Sequence, residues 1–243
     1  MTNELSAKDK LLLRFESNLP SFFHPGIVEY LPELIKYSEL ILAEELPLSS
    51  YRNLAFRKYL LDNVVTEDIS QLLFRFPYLS EEVCLEIGEL NKLFDEAPNE
   101  KEDPNAQINE VVLPNVCPPL ASLFLALHRT VVLPITYAML GGAPFYMNSI
   151  QVATYYADMG RGNSNVDFHS DEDSQFTCTV ELNKETYKNG AGLVIYPDKQ
   201  SATPDIGYAS IFPGLTCMHS SLPIKQGHRQ ILVHWFNAFK GED

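Results

Sequence analysis

Asp167-Phe168-His169-Ser170-Asp171 is the stretch on which the reading of this 243-residue chain turns. In extended backbone, residues two apart project to the same side, so His169 and Asp171 can reach one ion while Ser170 points away. A second histidine, His219, lies 48 residues beyond Asp171, and Arg229 lies ten beyond that. Two imidazoles and one carboxylate grouped on one side of a divalent ion leave the opposite coordination positions open, and open positions are where a metal does chemistry. The segment Ala209 to His219 offers the return route: an apolar strand, a turn at Pro213-Gly214, and a second strand ending on His219.

Beyond His219, Pro223 and Gly227 punctuate a turn, and His228 to Phe236 reads as a strong strand beginning at Arg229. Period-2 alternation puts Arg229 on the same side as Ile231, Val233 and Trp235. A permanently charged fork at one end of an apolar wall suits a carboxylate tail. The same alternation in Gln151-Val152-Ala153-Thr154-Tyr155 turns Gln151 and Tyr155 to one side and Tyr156 to the other. Isolated histidines in strands and helices are commonly surface or satisfied core residues, and His24, His128, His228 and His234 are read that way.

From about Gln151 to Phe239 the chain resembles the Fe(II)/2-oxoglutarate-dependent oxygenases, and within them the prolyl and lysyl hydroxylase branch. Three segments carry the likeness. One is His169-x-Asp171. The second is Phe176-Thr177-Cys178-Thr179-Val180-Glu181-Leu182-Asn183 with Gly190-Ala191-Gly192-Leu193. The third, His219-x-x-Leu222-Pro223-x-x-x-Gly227-x-Arg229-x-Ile231-x-Val233, is similar in spacing to the end of procollagen lysyl hydroxylase catalytic domains. The resemblance implies an α+β protein with a double-stranded β-helix, a cupin-like jelly roll whose mouth holds Fe(II) on His169, Asp171 and His219. It implies 2-oxoglutarate chelating that metal with its far carboxylate on Arg229, and O2 as the other co-substrate, with ascorbate admitted as an auxiliary reductant. It further implies that Tyr155, Thr177, Gln151 and Trp235 border the co-substrate. Related halogenases lack the carboxylate ligand, so Asp171 points to hydroxylation. Glu181 departs from the pattern, standing where prolyl hydroxylases have a tyrosine. It could pair with Arg229, face a cationic substrate, or turn to solvent by a one-residue slip of register.

Before residue 97 the sequence reads helical: one helix over Ile27 to Leu46 with Val28, Leu31, Leu34, Ile35 and Leu42 on its buried stripe, and others from about Ser50 and Ser80. Residues 97–106, charged and Pro-containing, read as a linker or exposed loop, followed by the oxygenase-like domain over 107–243. Pro119 to Leu140 reads as a buried helix interrupted at Pro134. The loop Ala157 to Val166 is read either as a lid or as an ordinary hairpin connection. Four cysteines without CxxC spacing indicate neither a zinc knuckle nor a disulfide framework. No apolar segment of roughly 20 residues suggests a membrane span, so a cytoplasmic protein is expected. A net charge of −14 disfavours nucleic acid as a partner. The partner expected instead is a small-molecule or peptide substrate; nothing in the sequence specifies an oligomeric state. Two classes of function stay open: a C–H hydroxylase, and a non-catalytic jelly roll that binds metal and recognises a partner. A structural metal site has no use for open coordination or for Arg229.

Overall fold

The computed structural model describes residues 7–98, 108–158, 160, 162–184, 187–188, 192–197, 199–200 and 203–238. Helices α1 (Ala7–Ser17), α2 (Pro25–Val28), α3 (Leu31–Leu42) and α4 (Tyr51–Asn63) come first. A hairpin of β1 (Glu67–Ile69) and β2 (Leu73–Pro77), α5 (Glu81–Asn91), β3 (Ala97–Pro98) and β4 (Asn109–Val112) follow. Next come α6 (Leu113–Val116), α7 (Pro118–Leu127) and α8 (Leu133–Leu140). The remaining strands are β5 (Tyr146–Tyr156), β6 (Phe176–Glu181), β7 (Tyr187–Lys188), β8 (Leu193–Ile195), β9 (Lys199–Gln200), β10 (Tyr208–Phe212), β11 (His219–Ser221) and β12 (Gln226–Asn237). The large antiparallel sheet runs β1-β2-β10-β6-β12-β5-β4-β3, with β7 added to one end of β12, and a small sheet runs β11-β8-β9.

Period 2 decides what each face of the large sheet does. Along β12, Arg229, Ile231, Val233 and Trp235 face the space beside the small sheet. Leu232, His234 and Phe236, between them, are buried toward the helices. On that outer face Leu232 and Phe236 share one core with Ile150, Val180, Leu123, Phe124 and Leu127, as well as with Leu34 and Phe56 from the N-terminal helices. Each such fully buried side chain contributes roughly 1.5–3 kcal/mol of transfer free energy. Helix starts follow local chemistry: the hydroxyls of Ser50 and Ser80 accept the backbone N–H groups of Asn53 (3.1 Å) and Val83 (3.4 Å), capping α4 and α5 where the sequence places them.

Several expectations need correction. The segment before residue 97 is not helical throughout: β1 and β2 join the large sheet beside β10. All five residues of β2 are buried, so the strand carries no polar-apolar alternation to betray it. The helix expected over Ile27 to Leu46 is two, divided near Tyr30, with Pro32 in the first turn of α3. Its buried face is Leu31, Leu34, Tyr37, Ser38 and Ile41, whereas Val28, Ile35 and Leu42 are exposed. Two specific contacts choose that face: Tyr37 stacks on Phe56 at 3.6 Å between ring centroids, and Ser38 donates to the carbonyl of Arg129 at 2.6 Å. Within the expected linker, Ala97 and Pro98 pair with β4, and residues 99–106 lie outside the described residues. Finally, Pro118–Leu140 is one helical run, long and apolar enough by length and composition to cross a membrane, with 67% of its apolar window buried inside the protein. The irregularity in it is a π-helical stretch, His128–Val132, just ahead of Pro134. Proline has no N–H to return to the carbonyl four residues earlier, so the helix changes register there.

That stretch places His128 in the core, fully buried, stacked on Phe236 at 3.6 Å and donating from Nε2 to the carbonyl of Pro144 at 3.0 Å. Burial pushes its pKa from the ordinary 6.5 down to about 3. The unfolded chain therefore takes up a proton that the native chain refuses, and stability falls as the pH drops from about 6.5 toward about 3. His128→Gln, which keeps a donor and does not titrate, is expected to flatten the decline of melting temperature over this range. An unchanged slope would assign acid sensitivity elsewhere.

Candidate active site

Backbone pairing brings the first two candidate ligands together. His169 and His219 are cross-strand partners that exchange hydrogen bonds, His169 N–H to His219 O at 2.9 Å and the reverse at 2.8 Å. His219 begins β11 rather than ending a strand, and Pro213 to Met218 form the turn leading to it. One turn further, the Asp171 N–H donates to the carbonyl of Gly214 at 3.0 Å, which folds its carboxylate back toward both rings. Asp171 Oδ1 lies 3.6 Å from His169 Nε2 and 3.8 Å from His219 Nε2, and one ligand atom from each of the three residues falls within 4.8 Å of the others.

The proton positions suit a metal. His169 Nδ1 lies 2.8 Å from the carbonyl of Asp167 and His219 Nδ1 lies 2.9 Å from that of Cys217. A carbonyl can only accept, so each Nδ1 carries the hydrogen and each Nε2 presents its lone pair to the centre. Burial lowers the pKa of His219, keeping the ring neutral. Thr177 donates from Oγ1 to Asp171 Oδ2, fixing the carboxylate rotamer and leaving Oδ1 turned toward the imidazoles. The Cys217 thiol, pushed up to about 11 by burial and by Asp171, stays protonated beside this group. Two imidazoles that turn Nε2 inward and an oriented carboxylate are the donor set that suits ferrous iron.

Gly214 makes the arrangement sterically feasible, a role its place in a turn does not announce. A Cβ there would lie 2.3 Å from Thr177 Oγ1 and 2.9 Å from Asp171 Oδ2, displacing the pair that sets the third ligand.

These groups open into a cavity of about 940 Å³ between the two sheets. Across the large sheet, Arg75, Ser210, Thr179, Val233 and Gln151 form one cross-strand row of its wall. Of the residues singled out in the sequence, Tyr155, Thr177, Gln151, Trp235 and Arg229 all line this cavity with the three candidate ligands. Tyr156 does not: it is on the other face, donating to Glu96 Oε2 at 2.6 Å. Gln151 donates to Glu110 Oε2 at 2.6 Å. Arg229 lies inside β12, paired with Tyr155 of β5, and its guanidinium is 5.4 Å from the Tyr155 ring.

Of the three orientations open to Glu181, the structure adopts the ion pair. Arg229 donates from Nε to both carboxylate oxygens, at 3.0 and 3.1 Å, and from Nη2 to Oε2 at 2.7 Å. Tyr187 donates to Oε1 at 2.9 Å. Among the cavity residues that the sequence did not single out is Arg75. It enters from β2, is 6% exposed, forms an ion pair with Glu67 and lies 3.4 Å from Ser210 Oγ through Nε.

No family model and no curated protein sequence matches the chain. Solved structures do. An oxidoreductase of the 2OG-Fe(II) oxygenase family from Burkholderia pseudomallei superposes with a TM-score of 0.54 at 16% identity, covering 70% of this chain and 88% of that one. The non-haem alpha-ketoglutarate-dependent carbocyclase SnoK from nogalamycin biosynthesis gives 0.53 at 14% identity, covering 70% and 81%. A prolyl-4-hydroxylase from Pseudomonas putida gives 0.49 at 15% identity, covering 65% and 86%.

The fold is that of the 2OG-Fe(II) oxygenases. The expected α+β architecture, a double-stranded β-helix with helices packed on its outer face, is the one observed. On this oxygenase fold the His169/Asp171/His219 group sits at the cavity between the sheets.

Proposed function

We propose that the chain is an Fe(II)- and 2-oxoglutarate-dependent dioxygenase that hydroxylates a C–H bond while 2-oxoglutarate is decarboxylated to succinate. The observation that carries this reading is the convergence of His169, Asp171 and His219 in a cavity that Arg229 also lines. A purely structural metal site would enclose its ion with protein ligands; this one faces an opening far larger than an ion needs. That contrast favours the enzyme over a non-catalytic metal-binding jelly roll.

His169 Nε2, His219 Nε2 and Asp171 Oδ1 would hold the iron, which when bound supplies the site where 2-oxoglutarate and O2 react. The protein's own part is orientation and exclusion. Thr177 and the carbonyls of Asp167 and Cys217 keep the three ligands in fixed orientations. Arg229 and Tyr155 receive the far carboxylate of the co-substrate. Ile231, Val233 and Trp235 form an apolar wall that limits water near the reacting centre. Trp235 and Gln151 border the remaining volume, where the substrate enters.

The substrate is an amino-acid side chain on a peptide, in keeping with the lysyl hydroxylase-like ending of the sequence, or a free amino acid or similar small metabolite. The four cysteines, all buried and unpaired with one another, support a reducing, cytoplasmic setting. Succinate release measured in air with Fe(II) and 2-oxoglutarate, against free amino acids, short peptides and basic protein extracts, tests the proposal. One class should raise succinate formation above background in the native protein and fail to do so in Asp171→Ala. No Fe(II)-dependent succinate with any of them would overturn it.

A further inference from the structure

Resting on the reading of this cavity as a co-substrate seat, we propose that Glu181 is a built-in counter-ion that makes the Arg229 seat close to electrically neutral. Glu181 thereby sets how strongly the site prefers a dianionic 2-oxo acid over a singly charged one.

Geometry separates the two partners. Arg229 lines the cavity and Glu181 does not; the Glu181 side chain is 0% exposed, so the carboxylate backs the guanidinium on the side away from the cavity. Its oxygens are saturated by Arg229 Nε and Nη2 and by the Tyr187 hydroxyl. Burial keeps Tyr187 protonated, so that donor persists. Two effects follow. Held along its Nε–Nη2 edge, the guanidinium cannot rotate, and what remains for a ligand is the rest of the fork. An incoming carboxylate also meets the field of a +1 and a −1 group a hydrogen bond apart, whose opposed contributions cancel much of the pull a lone arginine would exert in a shielded site.

The cavity's second arginine repeats the device. Arg75 is paired with Glu67, its register partner on β1. Arg75 and Arg229 are the two arginines among the described lining residues, no lysine is among them, and each carries its own glutamate. A site built to capture dianions by charge alone would leave at least one uncompensated. Stability is a weak explanation for such pairs, because apolar residues of similar volume serve a buried position as well or better.

Glu181→Gln isolates the charge. Glutamine keeps an oxygen for Arg229 and can turn its amide N–H to the Tyr187 oxygen, so orientation is retained while the counter-charge is lost. The probes are 2-oxoglutarate and 2-oxovalerate, which lacks the far carboxylate. Binding is measured calorimetrically on the full chain loaded with Mn(II), which resists oxidation.

Glu181→Gln is expected to bind 2-oxoglutarate at least about tenfold more tightly, the scale of a shielded charge pair, while 2-oxovalerate changes by less than about threefold. Unchanged or weaker 2-oxoglutarate binding in the folded variant would overturn the proposal. Should the variant not fold, the native protein still decides: a preference for 2-oxoglutarate below about a hundredfold supports a neutralised seat, and a larger one overturns it. A native protein with Mn(II) bound that takes neither 2-oxo acid defeats the co-substrate reading itself, an outcome distinct from either of these.

Discussion

His219→Ala is expected to yield a folded protein that retains no iron and forms no succinate. The imidazole is one of three donors converging on a single point, and it is the one the small sheet contributes. Without it His169 and Asp171 can hold an ion by two contacts only, in a cavity open to water. The backbone exchange between residues 169 and 219 does not depend on the side chain, so the sheet geometry should survive. Metal content after gel filtration, alongside circular dichroism, checks this, and His169→Ala and Asp171→Ala should behave alike. Native-like iron content in all three variants would mean that the ion binds elsewhere.

Arg229→Ala should have the second largest effect, of a different kind. Truncating one partner of a buried, hydrogen-bonded charge pair costs roughly 2–5 kcal/mol, corresponding to about 30-fold to several thousandfold in an equilibrium constant. Here the loss divides between two observables. The 2-oxoglutarate concentration needed for half-maximal turnover should rise steeply while iron content stays native, because Arg229 is not among the three metal-site residues. The melting temperature should fall as well, since Glu181 is left buried without its cation. Arg229→Ala combined with Glu181→Gln removes that orphaned charge and should recover much of the stability without restoring co-substrate binding. Unchanged 2-oxoglutarate dependence in Arg229→Ala would contradict the assigned role.

The features legible in the sequence are those that local periodicity determines. Alternation along β12 is sufficient to put Arg229, Ile231, Val233 and Trp235 on one wall, and alternation along β5 together with the hydroxylase resemblance chooses Tyr155 over Tyr156. The i, i+2 spacing of His169 and Asp171, with a returning histidine, is enough to suggest a shared ion. What escaped depends on neighbours distant in the chain. β2 is covered on both faces by other elements, so its five residues show no pattern, and Arg75 within it could not be assigned to the cavity. The inner face of α3 is chosen by a ring stack on α4 and a hydroxyl contact to Arg129, neither visible in apolar spacing. Glu181 had three orientations open because strand register, unknown from sequence, decides which residue it meets across the sheet. Gly214 is recognisable as a turn residue, but its close approach to Thr177 and Asp171 exists only once two distant segments have folded together.

Whether His169, Asp171 and His219 hold iron with positions left open for a 2-oxo acid received by Arg229 is decided by anaerobic absorption spectroscopy. Fe(II) and 2-oxoglutarate added without oxygen should together produce the weak visible charge-transfer band of the chelate, which neither gives alone and which Asp171→Ala does not give. No band from native protein, with the iron verified as bound and 2-oxoglutarate in excess, would mean that the bound iron does not take the 2-oxo acid.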